Sequence, residues 1–219
     1  MRKSLLNNAQ WGGIAFLFCF LVWAPAPSLA ATGPMDVIRS GSEEGLTLLK
    51  KNCKPGEPLP VQAHRQEILN IVYTYFDFEE MAKRALGRYW KDQTPDKQQA
   101  FVKLFEQLIF NTYLDRVSVY TCSNENVLYD DEKIEGNYAL VKTRVTGVAN
   151  YEKAAVSVDY RLFSKNGNWR VYDVVLEGVS LVNNYRSQFD SMLTRGSFDD
   201  MMAQLRQKLD SPRQSEAAN

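Results

Sequence analysis

Apolar residues recur along this chain with two periods, one near 3.6 and one of 2, and the change between them divides it. Pro34 opens a predicted helix that carries Val37, Ile38, Leu46, Leu48 and Leu49. It stops near Asn52, before a loop holding Pro55, Gly56, Pro58 and Pro60. A second helix is predicted from about Val61 to Tyr75, with Ile68, Leu69, Val72 and Phe76 at helical spacing. Asp77 caps the helix FEEMAKRALG, which has Glu79 and Glu80 in its first turn and Gly87 at its end. Thr94-Pro95-Asp96 starts a longer helix that runs to about Tyr120. Its apolar residues are Phe101, Val102, Leu104, Phe105, Leu108, Ile109, Phe110, Tyr113, Leu114 and Val117. They exceed the roughly 100° stripe that one packed face needs, because Phe110, Leu114 and Val117 lie off the Phe101–Leu104–Leu108 line. Either the helix is buried on two sides or the surplus lines a cavity, and periodicity leaves both open.

The period then becomes two. Val141, Thr143 and Val145 alternate with Lys142 and Arg144, and Val156, Val158, Tyr160 and Leu162 alternate with Ser157, Asp159 and Arg161. These are half-buried antiparallel strands with one wet face. Lys165-Asn166-Gly167-Asn168 contains an Asn-Gly hairpin turn leading into the strand WRVYDVVLEG, and a shorter strand is expected near Val127–Ile134. Gly178 is expected to end the sheet. Helices over about Leu181–Thr194 and Phe198–Leu209 follow, with a polar tail after them. The order helices, strands, helices, with no repeat and no long linker, gives one α+β domain.

The first thirty residues do not belong to that domain. Arg2 and Lys3 precede an apolar run at 11–24, too short to span a bilayer stably, since that takes about 20 residues. Pro25, Pro27 and the small residues Ser28 and Ala30 then present a cleavage site. This is the layout of a secretory signal peptide, with an uncleaved anchor as the alternative. Removal of residues 1–30 leaves 189 of the 219 residues, with 24 cations against 26 anions. Export places Cys53 and Cys122 where disulfides persist. A bridge between them would close a loop of about 70 residues and stabilise by about 4 kcal/mol in the chain-entropy picture, but spacing alone does not decide whether they meet.

Charge and motifs exclude further classes. Lys+Arg and Asp+Glu are both 26, which lacks the cationic surplus that nucleic-acid binding needs. No nucleotide-binding glycine loop and no nucleophile elbow occurs. The single histidine, His64, lies in a polar stretch and reads as a surface residue, and no Cys/His cluster supports a zinc site. Glu79-Glu80, Asp130-Asp131-Glu132 and Asp199-Asp200 read as helix first turns or solvated strand ends rather than acid–base pairs. Neither a metal nor a cofactor is implied.

Two blocks carry a resemblance. In Tyr75–Tyr113 the matching residues are Phe76, Asp77, Leu86-Gly87, Trp90, Thr94, Phe101, Phe105 and Tyr113. In Val171–Lys208 they are Asp173, Glu177-Gly178-Val179-Ser180, Tyr185-Arg186, Phe189, Gly196 and Leu205. Both blocks, in this order, resemble the periplasmic phospholipid-carrier family of the maintenance-of-lipid-asymmetry pathway, also called the toluene-tolerance family. Lys97 departs from it where Gln is expected, and the two cysteines are not part of its pattern. The resemblance implies a twisted antiparallel sheet of about four strands packed against helices, with a deep apolar pocket for both acyl chains and the head group near its mouth. It also implies a periplasmic shuttle between an outer-membrane lipoprotein–porin complex and an inner-membrane ABC transporter, with no hydrolysis.

Roughly thirty tail methylenes at about 0.8 kcal/mol each make transfer through water cost over 20 kcal/mol, so a carrier needs a pocket of about 1,000 Å³ or more. The strand residues expected to wall it are Val141, Val145, Val156, Val158, Tyr160, Leu162, Trp169, Val171 and Val175. The helical ones are Val72, Phe76, Leu104, Phe105, Leu108, Tyr185 and Phe189. An exported enzyme on a similar fold is the competing reading, with Asp173 its best buried acid. A module that binds other proteins and has no cavity is another.

Overall fold

Local signals place most element ends. In the computed structural model, which describes residues 32–51, 53, 54, 56–58, 60–117, 124–147 and 155–210, Pro34 opens α1 (Pro34–Lys50) and Asp36 accepts from the Gly33 N–H at 3.2 Å. The second helix, α2 (Arg65–Tyr75), begins four residues later than its apolar pattern suggests. Residues 61–64 form a turn instead, with the His64 N–H on the Pro60 carbonyl at 3.2 Å, and His64 supplies no side-chain cap. Asp77 caps α3 (Phe78–Leu86) by accepting from the Glu80 N–H at 2.9 Å. Gly87, at φ 61°, ends α3 and leads into a 3₁₀ turn, Gly87–Trp90. The long helix α4 spans Pro95–Val117. The expected leader at 1–30, residues 118–120, Cys122 and the polar tail from 211 lie outside the described residues; Cys53 is disulfide-bonded.

The sheet is antiparallel and follows chain order: β1 (Asn126–Glu135), β2 (Tyr138–Thr146), β3 (Ala155–Lys165), β4 (Asn168–Leu176) and β5 (Val179–Ser180). Asn166 and Gly167 turn between β3 and β4 at φ 53° and 81°, the left-handed pair that a two-residue hairpin needs. Gly178 does not end the sheet. Glu177 (φ 48°) and Gly178 (φ 82°) make a second such turn, and β5 folds back so that Val175 pairs with Ser180 and Leu176 with Val179. Ser180 then caps α5 (Leu181–Arg195), and α6 (Phe198–Asp210) completes the fold.

One bulge decides which side chains face which way. Arg161 pairs with Asp173, yet Leu162 pairs with Val171, so Tyr172 is an extra residue in β4. Cross-strand partners share a face. Ala139, Val141, Leu162, Val171, Trp169 and, beyond the bulge, Val174 therefore lie on one side, where Ile38, Met35 and Val37 of α1 pack on them. Asp173 and Val175 are turned to the other side, against α5. A strict alternation puts Val171 and Val175 together; the inserted residue separates them.

The second core is helical. Phe101, Phe105 and Leu108 of α4 pack with Tyr185 and Phe189 of α5, Met81 and Ala85 of α3, and Met201 and Leu205 of α6. Its rings interlock edge-on, Phe105 with Tyr185 at 5.3 Å and Phe101 with Phe189 at 5.4 Å between centroids.

Candidate functional site

Between these two packed regions lies a cavity of about 700 Å³. Its walls come from eight elements and the chain between them. They are Leu49 at the end of α1; Ile68 and Val72 of α2, followed by Phe76; Phe78 and Met81 of α3; and Ile109, Phe110 and Tyr113 of α4. The sheet adds Tyr160 of β3, with Val174, Leu176, Glu177 and Val179 around the β4–β5 turn, and α5 adds Leu181 and Asn184. The aromatic wall is tightly set, with Phe78 and Phe110 at 5.2 Å and Phe76 stacked on Phe78 at 6.2 Å. Leu176 and Val179 are 44% and 61% exposed and form an apolar rim. A smaller chamber of about 160 Å³ adjoins the cavity between α1 and α2.

α2 owes its place as one wall to its C-terminal end. Arg170 of β4 donates to the carbonyls of Tyr73 (2.7 Å) and Phe76 (2.9 Å), and also to that of Thr74. The Asp77 N–H donates to Val171 O at 2.9 Å, and Lys165 pairs with the Asp77 carboxylate at 3.2 Å. The last carbonyls of a helix need such partners, and here a neighbouring strand supplies them.

Polar groups in the lining are few: the Glu177 carboxylate, the Asn184 amide and the phenols of Tyr113 and Tyr160. Glu177 accepts from the Ser157 N–H at 2.6 Å, which fixes it at the end of β4. Tyr160 is hydrogen-bonded by Ser42, and burial pushes its phenol up to about 12, so it stays neutral at physiological pH. The set provides wide apolar contact with a few hydrogen-bonding groups.

Of the residues expected as walls, the structure brings Val72, Phe76 and Tyr160 together in the cavity. Leu104, Phe105, Leu108, Tyr185 and Phe189 sit instead in the solid helical core, at most 7% exposed. Val141, Leu162 and Val171 are fully buried beneath α1, with Trp169 beside them. Val158 pairs with Leu176 on the cavity face, Val145 pairs with Val156 towards the other end of the sheet, and Val175 is turned away by the bulge. The cavity is also smaller than about 1,000 Å³. Of the α4 residues in the lining, Phe110 belongs to the excess apolar width of that helix, whereas Ile109 and Tyr113 do not; Ile109 and Phe110 also pack into the helical core. Val174 carried no signal, because a bulge leaves none in the period. Asp173 is not in the lining. It accepts from Ser180 Oγ at 2.6 Å, the Val182 N–H at 2.9 Å and Arg161 Nη1 at 2.9 Å, and so ties β3 and β4 to the start of α5.

Comparison with known proteins adds a family and a fold. The family model described as MlaC protein matches residues 48–207. The chain is 24% identical over 213 residues to the intermembrane phospholipid transport system binding protein MlaC of Haemophilus influenzae, covering 95% of this chain and 97% of that one. It is 26% identical over 185 residues to the toluene tolerance protein ttg2D of Pseudomonas putida, covering 84% and 83%. A phospholipid-binding protein from Ralstonia solanacearum, solved in complex with a phospholipid, shares the fold at a TM-score of 0.67 and 22% identity, over 80% of this chain and 96% of that one.

Proposed function

This chain belongs to the MlaC protein family, and from that membership we propose that it is a periplasmic carrier that holds a phospholipid by its acyl chains in the cavity between α2, α4 and the sheet. The observation that carries the reading is the cavity itself, open at an apolar rim and lined by Val72, Phe76, Phe110 and Val174. An apolar cavity of about 150 Å³ takes one benzene, six carbons. On that scale 700 Å³ takes about 28 carbons, close to two ordinary lipid tails. Left dry and empty, 700 Å³ would cost about 17 kcal/mol at about 24 cal/mol per Å³. A domain's whole stability is about 5–15 kcal/mol. An occupant, or water entering by the mouth, removes that cost, and only an apolar occupant also keeps the contacts of the walls.

In this reading the head group stays at the rim beside Glu177 and Asn184, and the chain transports without hydrolysing. Residues 1–30 are the export signal, cleaved near Ala30, and residues 31–219 are the carrier domain. Cys122 is the partner of Cys53. Lipid passes between an outer-membrane lipoprotein–porin complex and an inner-membrane ABC lipid transporter. The near balance of charges supports this, since a carrier must leave anionic membranes as readily as it meets them. Native mass spectrometry of the protein purified from the periplasm tests the reading. The expected result is a stoichiometric adduct of phospholipid mass that organic solvent extracts. A protein without an adduct, and without uptake from phospholipid vesicles, overturns it.

A further inference from the structure

The small chamber between α1 and α2 has a cause that can be read residue by residue. Two glycines stand one turn apart on α1. A Cβ at Gly41 would lie 3.0 Å from the Tyr75 ring, so Gly41 is what lets the two helices close there. A Cβ at Gly45 would meet no atom within 4 Å. Gly45 also lies inside α1, outside the positive-φ positions where glycine has a conformational use. A glycine inside a helix lowers stability relative to alanine, and neither packing nor backbone conformation asks for one at 45. Gly45 instead lines the chamber of about 160 Å³, and a side chain there would have open space to enter.

That chamber adjoins the main cavity. Leu49, Ile68, Val72, Phe76 and Tyr160 line both, so the two spaces lie on either side of these same side chains, whose rotation would open one into the other. By the measure of the benzene-sized cavity, 160 Å³ admits about six carbons. That is too little for a second tail and enough for the end of one. The Tyr160 hydroxyl beside it is satisfied by Ser42, which leaves the rest of the wall apolar.

We propose that this chamber receives the terminal methylenes of one acyl tail, so that Gly45 sets the longest chain the cavity accepts. The inference rests on the phospholipid reading above and adds a chain-length preference to it. A side chain at 45 shortens the track from the α1 side. A larger one at Ile71, which lines the small chamber and not the main cavity, shortens it from α2.

The test offers the protein purified from the periplasm, wild type and Gly45→Leu, to vesicles holding equal amounts of dimyristoyl and distearoyl phosphatidylglycerol, and reads the bound species by native mass spectrometry. Each methylene kept out of an apolar site weakens binding about fourfold. Gly45→Leu is therefore expected to lower the ratio of distearoyl to dimyristoyl lipid among the bound species by about tenfold or more. Ile71→Phe repeats the measurement from the opposite wall, and Gly45→Ala, a better helix former that fills little space, falls between. An unchanged ratio in Gly45→Leu and Ile71→Phe, with lipid bound in both, overturns the chain-length assignment and leaves the carrier intact. A wild-type protein that takes up neither lipid overturns the carrier reading itself, and the chamber's role falls with it.

Discussion

Replacing Asp173 by alanine separates the two sides of the sheet experimentally. The carboxylate is 2% exposed and accepts three hydrogen bonds. The Val182 N–H belongs to the first turn of α5 and would be left buried without an acceptor, at about 1–3 kcal/mol. Ser180 Oγ also caps the Asn183 N–H at 3.0 Å and would lose the acceptor that orients it, at about 1 kcal/mol. The Arg161 side chain is 39% exposed, so water replaces part of that ion pair and it adds little. The loss is then about 2–4 kcal/mol. At about 2–4 °C per kcal/mol for a chain of this size, Tm falls by about 4–16 °C. Asp173→Asn keeps the shape and one acceptor and should fall between. Thermal melts followed by circular dichroism, with bound lipid quantified on the same samples, give both readouts. Asp173 faces α5 and not the cavity, so lipid per folded protein is expected to match wild type. A melt unchanged to within about 1 °C would refute the stabilising role of these hydrogen bonds, and lost lipid with Tm retained would place this carboxylate in the site and refute the facing drawn from the Tyr172 bulge.

Three other outcomes follow from the same geometry. Phe105→Ala opens a void in the solid helical core and is expected to cost about 3–5 kcal/mol in denaturant unfolding, with lipid still bound, because Phe105 is fully buried and outside the lining. Val72→Glu puts a carboxylate into the cavity and is expected to abolish lipid capture in a vesicle assay, while far-ultraviolet circular dichroism stays that of the folded protein. Burial holds the Glu106 carboxyl above its ordinary value, against the pull of Tyr73 and Lys103. The folded state therefore keeps this proton more tightly than the unfolded chain does. Its contribution to stability falls as pH rises from the ordinary glutamate range through the raised value, then levels. Glu106→Gln should melt higher than wild type at neutral pH, and the gain should fade in melts taken near pH 4.5 and below.

Periodicity and caps revealed nearly all the elements, because each rests on residues adjacent in sequence. Asp77, Thr94-Pro95 and Asn166-Gly167 mark boundaries by local hydrogen bonding or a required φ. The start of α2 was obscured because His64 offers no cap. The fifth strand was hidden because Glu177-Gly178 reads as a stop when it is a turn. The cavity was half legible. The apolar circumference of α4 left two readings open, and only packing shows that Leu104, Phe105 and Leu108 stay in the core while Ile109 and Phe110 belong to the core and also reach the lining. On β4 the alternation held as far as Val171, and one inserted residue, Tyr172, then exchanged Val174 for Val175. Register is a property of a pair of strands, and one strand's sequence does not contain it.

In a phospholipid carrier of this geometry the acyl chains lie between α2, α4 and β4. Anomalous diffraction from crystals of the protein loaded with a phospholipid brominated along its tails would test this placement most directly. Bromine peaks are expected inside the cavity bounded by Val72, Phe110 and Val174. Peaks confined to the protein surface, with the cavity holding water alone, would contradict it.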